Sequence, residues 1–291
     1  MKFSLIIGTL NRDKELEICL DSLLNQKYKE FEVIIIDQSD NDNTNVLCQK
    51  SKYKSLSLKY RHVQFRGLSK ARNEALKDLK GDYFCLIDDD AEYSRDYLSR
   101  ANEYINKYER NTILSGHIIN NITQKTLKDY KNVKNATILS QRKIIRMCPS
   151  PGLIFPASVL GKIGNFDERF GVGGVYPAGE ETDLILRCLY QGYKVRYFCD
   201  LKLLHPVILH SYEIKNTQGS NKMENYLYGH GAMFRKHISQ INNKSLYIIL
   251  IEKYMIYNIK KVILAKDKKL QIKLEQAALY RGWQDYKKRE E

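Results

Sequence analysis

The chain has 291 residues, 43% hydrophobic and 28% charged, and 48 Lys and Arg against 34 Asp and Glu set a formal net charge of +14. That balance is the balance of a soluble globular protein, one large domain or one domain with an appendage. No apolar run reaches the roughly 18–20 residues of a transmembrane helix, and the apolar start at residues 3–7 is too short for a signal peptide. Six cysteines form no CxxC pair, which argues against a disulfide frame and for reduced thiols, so a cytoplasmic chain is expected.

The first hundred residues alternate in type. Residues 3–9 predict a buried strand, and residues 13–24 a helix with Leu16, Cys19, Leu20, Leu23 and Leu24 on one face and Asn11 as its cap. Residues 31–36 predict a second buried strand, closed by the polar loop 37–43; residues 58–63 a third strand; residues 69–79 a helix; residues 82–87 a fourth strand. Such alternation implies a parallel, doubly wound sheet that binds ligands beyond the carboxyl ends of its strands. Thr9, Asn11, Asp37, Asp40 and Asp88 to Asp90 all fall on that edge.

Farther on, a helix is expected over residues 96–108 and a strand over 113–119, followed by a basic, polar excursion over the surface at 120–146. A turn into a strand follows at 149–155. The loop 171–179 is rich enough in glycine to move and leads to Glu180 and Glu181, just ahead of a helix at 184–191 that Gly192 stops. Two short strands, 195–198 and 201–204, end at His205-Pro206.

The fourth strand ends in Asp88-Asp89-Asp90. Three carboxylates at one strand end repel one another at a cost of several kcal/mol unless a cation compensates. Hard divalent ions take such oxygens and share them with substrate phosphates. The bland alternative is a solvated acidic corner. Glu180 and Glu181 also suit the start of a helix electrostatically, but a glycine loop precedes them and His205 follows at a strand end, where imidazole suits Mn²⁺-type sites.

In order, SLIIGTLNR (4–12), VIIIDQS (33–39), GLSKARNEAL (67–76), YFCLIDDD (83–90), FDERF (166–170), GEETDLILR (179–187) and LLHP (203–206) resemble the family 2 glycosyltransferases. The resemblance covers roughly residues 1–210. It implies a GT-A fold: α/β, a Rossmann-like, doubly wound, mixed but mostly parallel sheet with a C-terminal helical appendage. It divides the chain into a catalytic domain at 1–220 (nucleotide-sugar half about 1–92, acceptor half about 93–220) and a C-terminal segment at 221–291.

It also implies roles. Thr9, Asn11, Arg12 and Asp37 would line the nucleotide base pocket, and Arg72 would contact the base or pyrophosphate. Asp88 would lie near the ribose and Asp90 would bind Mn²⁺ or Mg²⁺ with His205; Asp89 leaves the register of the DxD pattern open, so Asp88 counts with both the donor and the metal. The family's usual Glu-Asp pair is here Glu180-Glu181. Either is a candidate general base, with Glu181 favoured by position. The donor implied is a nucleotide-diphosphate sugar, a UDP-sugar first, and the reaction an inverting transfer of a hexose or N-acetylhexosamine.

From Arg235 onward 14 Lys and Arg face 6 Asp and Glu. Apolar residues at three-and-four spacing between Tyr247 and Leu264 describe a basic amphipathic helix, either docked on the domain or bound to an anionic membrane surface. Residues 226–237 resemble the tails of enzymes that build bacterial capsules and O-antigens. That implies a glycan acceptor on a lipid pyrophosphate and a peripheral site at the inner face of the plasma membrane. A HAD-like phosphatase leaves the Glu pair without a role, a nucleic-acid module leaves the triplet without one, and a catalytically silent nucleotide-sugar binder would not need Glu180 and Glu181.

Overall fold

A computed structural model describes residues 1–126, 130–206, 217–241 and 269–290. The chain divides into two compact units, one of Met1–Arg66, Lys70–Phe166 and Arg187–Val207, the other of Gly67–Ser69, Asp167–Leu186 and Ile208–Glu291.

The strands are β1 (Phe3–Thr9), β2 (Phe31–Asp37), β3 (Leu58–His62), β4 (Tyr83–Leu86), β5 (Glu92–Tyr93), β6 (Thr112–Asn120), β7 (Thr137–Ile138), β8 (Leu153–Pro156) and β9 (Lys194–His205). The helices are α1 (Asp13–Leu24), α2 (Asn43–Cys48), α3 (Leu68–Leu76), α4 (Tyr97–Lys107), α5 (Gln141–Met147), α6 (Leu160–Ile163), α7 (Glu180–Tyr190), α8 (Thr217–Ile241) and α9 (Lys269–Glu290).

All nine strands lie in the first unit and form one sheet in the order β3-β2-β1-β4-β8-β6-β9-β5, with β7 on β9. From β3 to β4 it is parallel; β8 then runs antiparallel to both β4 and β6, while β6 and β9 are parallel. The sheet is thus mixed, with its parallel pairing concentrated in the N-terminal half. β2 is buried along its whole length and β1 nearly so, as continuous apolar runs demand. Phe84 and Phe155 stack at 5.1 Å where β4 meets β8.

Register decides what meets at the sheet edge. Thr9 pairs with Asp37, and Asn120 pairs with His205 at the ends of β6 and β9. Glu92 of β5 then pairs with Leu204 in the antiparallel sense. The chain leaving β4 therefore passes Asp88 to Asp90 directly beside the end of β9.

Local expectations are revised at four places. Arg12, not Asn11, occupies the cap of α1, which has no side-chain cap bond; Asn11 takes φ 55° instead, a left-handed conformation that asparagine tolerates. The two strands expected at 195–198 and 201–204 are one strand, β9, because the polar Cys199-Asp200 step is carried by pairing with β6 on either side of an irregularity. The 120–146 excursion is structured: β7 pairs with β9, α5 follows, and Tyr130, Leu139, Ile144, Ile145 and Met147 are buried. Helix α7 begins at Glu180, so the acidic pair lies inside its first turn rather than ahead of it.

In the second unit the glycine-rich loop leads into α7, and α8 packs against α9 around Leu227, Ala278 and Leu279. Gly231 faces the Leu279 carbonyl and Gly282 the Tyr228 carbonyl so closely that a Cβ at either would overlap backbone. The expected C-terminal helical part is present. The amphipathic stretch at 247–264 lies outside the described residues. Among the described residues no helix is long and apolar enough to cross a membrane.

Candidate active site

Seven of the residues singled out in the sequence form one connected group in the first unit. Asp90 Oδ1 lies 2.9 Å from His205 Nε2, and Asp88 Oδ2 lies 3.4 Å from the same nitrogen. Arg12 Nη2 donates to Asp90 Oδ2 at 2.6 Å, and its Nε stands 3.5 Å from Asp89 Oδ1. Thr9 Oγ1 donates to Asp89 Oδ2 at 2.8 Å. On the other side, Arg72 Nη2 lies 3.4 Å from Asp88 Oδ1 and donates to Ser150 Oγ.

The carboxylates have different electrostatic fates. Burial pushes Asp89 up to about 7, and Arg12 and Thr9 only partly oppose it. Partial burial would raise Asp90 too, but hydrogen bonds from His205 and Arg12 outweigh it and hold it down to about 2. Burial would lower His205, yet its bonds to Asp88 and Asp90 raise it to about 9. Asp90 is thus held ionised between an imidazolium and a guanidinium, while the neighbouring Asp89 titrates near neutrality.

One ligand atom from each of Asp88, Asp90 and His205 lies within 4.8 Å of the others. Two carboxylates and an imidazole, all partly accessible, suit Mn²⁺ or Mg²⁺ and leave positions for phosphate oxygens. The buried His205 Nδ1 has no hydrogen-bond partner among the described residues.

Asn11 and Asp37 form an adjacent polar loop. Asp37 is fully buried, accepting from Ser39 N and from Tyr60 Oη, each at 2.9 Å. Asn11 N donates to Ser39 Oγ at 2.8 Å and its side chain bridges to Asp40. Sequence reading missed Tyr60 and Ser150, the partners that orient Asp37 and Arg72. Tyr60 faces Asp37 from the adjacent strand, and only pairing of β2 with β3 reveals it.

Glu180 and Glu181 belong to the second unit. Glu180 is buried, with its carboxyl against Gly171, a residue at φ +95° where a Cβ would crowd both Glu180 and Ser69. Glu181 is half-buried and accepts from Thr182 Oγ1 at 3.2 Å. Of the two, Glu181 is the more exposed.

The pattern described as Glycosyl transferase family 2 matches residues 4–163. The poly(ribitol-phosphate) beta-N-acetylglucosaminyltransferase TarS of Staphylococcus aureus is 29% identical over 157 residues, 52% of this chain and 27% of that protein. Glycosyltransferase GlyA of Streptococcus pneumoniae is 28% identical over 108 residues, 37% of this chain and 16% of that protein. This chain thus spans little more than a quarter, or less, of those relatives. Among solved structures, the mannosyltransferase PcManGT from Pyrobaculum calidifontis, in complex with GDP-Man and Mn²⁺, matches with a TM-score of 0.68 at 16% identity, over 100% of this chain and 88% of that one. S. aureus TarS 1–349 in complex with UDP matches with a TM-score of 0.59 at 20% identity, over 99% of this chain and 92% of that one. Both agree on the fold, which is of the GT-A type.

Proposed function

Because the chain belongs to glycosyl transferase family 2, we propose that it moves one sugar, with inversion, from a nucleotide-diphosphate donor to a hydroxyl of a glycan acceptor. The observation that carries this reading is the convergence of Asp88, Asp90 and His205 at the strand ends. These three residues would hold Mn²⁺ or Mg²⁺, which when bound neutralises charge on the departing diphosphate. Arg12 and Arg72 add fixed positive charge beside those carboxylates, so the leaving group needs no proton.

Glu181 is the general base. It takes the proton of the acceptor hydroxyl as that oxygen forms its bond to the anomeric carbon, while the bond from that carbon to the diphosphate oxygen breaks and its electron pair leaves with the diphosphate. One in-line displacement turns an α-linked donor into a β-glycoside, and a β-linked dTDP-L-rhamnose into an α-linkage. The half-buried position of Glu181, against the buried one of Glu180, favours this choice. Thr9, Asn11, Asp37 and Asp89 serve the nucleotide, and the glycine-rich loop screens the reacting centre from water.

The donor is a UDP-sugar, in keeping with the UDP named for TarS, and it carries a hexose or N-acetylhexosamine. The acceptor is a lipid-pyrophosphate-linked glycan of a bacterial surface polymer, met at the inner face of the plasma membrane. The excess of Lys and Arg after Arg235 would gain about 1 kcal/mol per basic residue near anionic lipid.

Incubation with a panel of nucleotide sugars and Mn²⁺, followed by detection of free UDP, dTDP or GDP, tests the reading. Release of one nucleotide, dependent on cation and acceptor, is expected; donor binding without release would reduce the protein to a nucleotide-sugar binder. Cosedimentation with anionic vesicles that persists unchanged after removal of residues from Ser245 onward would refute the membrane part.

A further inference from the structure

Lys236, on α8, is buried with 8% of its side chain exposed, and its Nζ stands 2.8 Å from Asp167 Oδ2 and 2.6 Å from Asp183 Oδ1. Those two carboxylates lie at opposite ends of the glycine-rich loop: Asp167 where the loop begins, Asp183 in the first turn of α7. Asp183 is fully buried and also accepts from His237 Nε2 at 2.9 Å. Asp167 is gripped in turn by Arg169, whose Nη2 and Nε lie 2.8 and 3.0 Å from its two oxygens. A buried charge costs several kcal/mol unless paired; here two carboxylates meet a lysine, an arginine and an imidazole.

The neighbouring contacts repeat along one face of α8. Gly229, Met233, Lys236 and His237 follow the spacing that aligns side chains on a helix. A Cβ on Gly229 would stand 2.6 Å from Ala178 N and 2.7 Å from Ala178 O, and one on Gly179 would stand 3.3 Å from Met233 Cβ. The last two loop residues before Glu180 thus rest on α8, Ala178 on its backbone at Gly229 and Gly179 on the Met233 side chain. Asp183 N closes the first turn of α7 on Gly179 O at 2.8 Å, so whatever holds Asp183 also holds Glu180 and Glu181. At the loop tip, by contrast, Val172 and Val175 are 68% and 45% exposed.

We infer that α8 is the positioning scaffold of the acidic pair, with Lys236 a clamp that joins the two ends of the glycine-rich loop and leaves its tip to close. Lys236 is a positioning residue, since it reaches Asp167 and Asp183 rather than substrate. The inference rests on the reading of Glu181 as base and extends it: the C-terminal helices take part in the chemistry by fixing where that base stands.

The test uses the full chain with Lys236→Met, Lys236→Arg and His237→Phe, read by hydrogen exchange, donor binding and nucleotide release. Lys236→Met should speed exchange across residues 167–183, lower kcat by ~10²-fold, as a misplacement of about 1 Å can, and leave donor affinity unchanged. Lys236→Arg should restore most of kcat. His237→Phe, which removes the bond to Asp183, serves if Lys236→Met does not fold, with a smaller fall in kcat and faster exchange confined to the same segment. Wild-type exchange and kcat in Lys236→Met would overturn the clamp. So would faster exchange throughout the chain together with lost donor binding, the mark of a general folding role. Loop exchange that depends on Lys236 in a protein whose wild type releases no nucleotide would sink the transferase reading while the clamp stands.

Discussion

Asp90 Oδ1 and His205 Nε2 stand 2.9 Å apart, although one residue follows β4 and the other ends β9. Sheet topology makes that meeting, because β5, two residues after Asp90, pairs with Leu204 and Leu203. At the proposed metal site, a cation and a proton would compete for that nitrogen.

Cation binding should therefore release a proton. His205 is raised to about 9 despite burial, through Asp88 and Asp90, so it is protonated at pH 7.5 in the metal-free protein. Its contribution to stability is complete below the unfolded value of 6.5 and fades as pH rises through about 9. Mn²⁺ affinity should run the opposite way and increase with pH up to about 9. Calorimetry in two buffers of different ionisation enthalpy measures the proton count; a count of zero at pH 7.5 would contradict the assignment.

His205→Ala should weaken Mn²⁺ binding by at least ~10-fold, since even groups behind the ligands commonly cost that much. Asp90→Asn should do the same. Direct titration with the metal alone checks both, and wild-type affinity in either variant would remove that residue from the ligand set.

Glu181→Gln should lower kcat by ~10²–10⁴-fold with donor affinity intact, the range expected for a general base. Glu180→Gln should act mainly on the loop, since that carboxyl is buried against Gly171. Parallel measurement of turnover and donor binding separates the two; normal turnover by the Glu181 variant would transfer the role elsewhere.

Asp167 offers an acid-stability prediction. Burial would raise its carboxyl, but hydrogen bonds from Arg169 and Lys236 prevail and hold it down to about 2, from an ordinary 3.8. Its stabilisation is present above pH 3.8 and is lost as pH falls through about 2. Asp167→Asn should flatten the acid limb of the second unit's unfolding, followed by hydrogen exchange between pH 5 and pH 2.

Gly231→Ala should destabilise the α8–α9 pair by about 1–3 kcal/mol, the usual cost of overpacking, because its Cβ would enter the Leu279 carbonyl. Loss of helical signal at lower temperature, with cation binding unchanged, is the expected result.

How much was legible in advance differs by element. β1 and β2 were readable because strands buried on both faces are written as unbroken apolar runs, and the acidic triplet because it interrupts one so abruptly. β9 was read as two strands, since Cys199-Asp200 breaks its local pattern and only pairing with β6 carries it through. The partners of Asp37 and Arg72, Tyr60 and Ser150, left no mark in local sequence.

The sequence by itself determined the family, the order of the chemistry-bearing motifs and the edge of the sheet on which most of them fall. The motifs and the edge follow from periodicity and residue type, which are local, and the family from the resemblance that the ordered motifs carry. Only the tertiary structure decided that Asp88, Asp90 and His205 share one point, that Glu181 is half-buried while Glu180 is buried, and that Lys236, one more lysine in a basic tail, sits between the half-buried Asp167 and the buried Asp183. Such facts depend on register and on helix faces meeting across long stretches of chain, and charge alone cannot say whether a lysine faces water or a carboxylate.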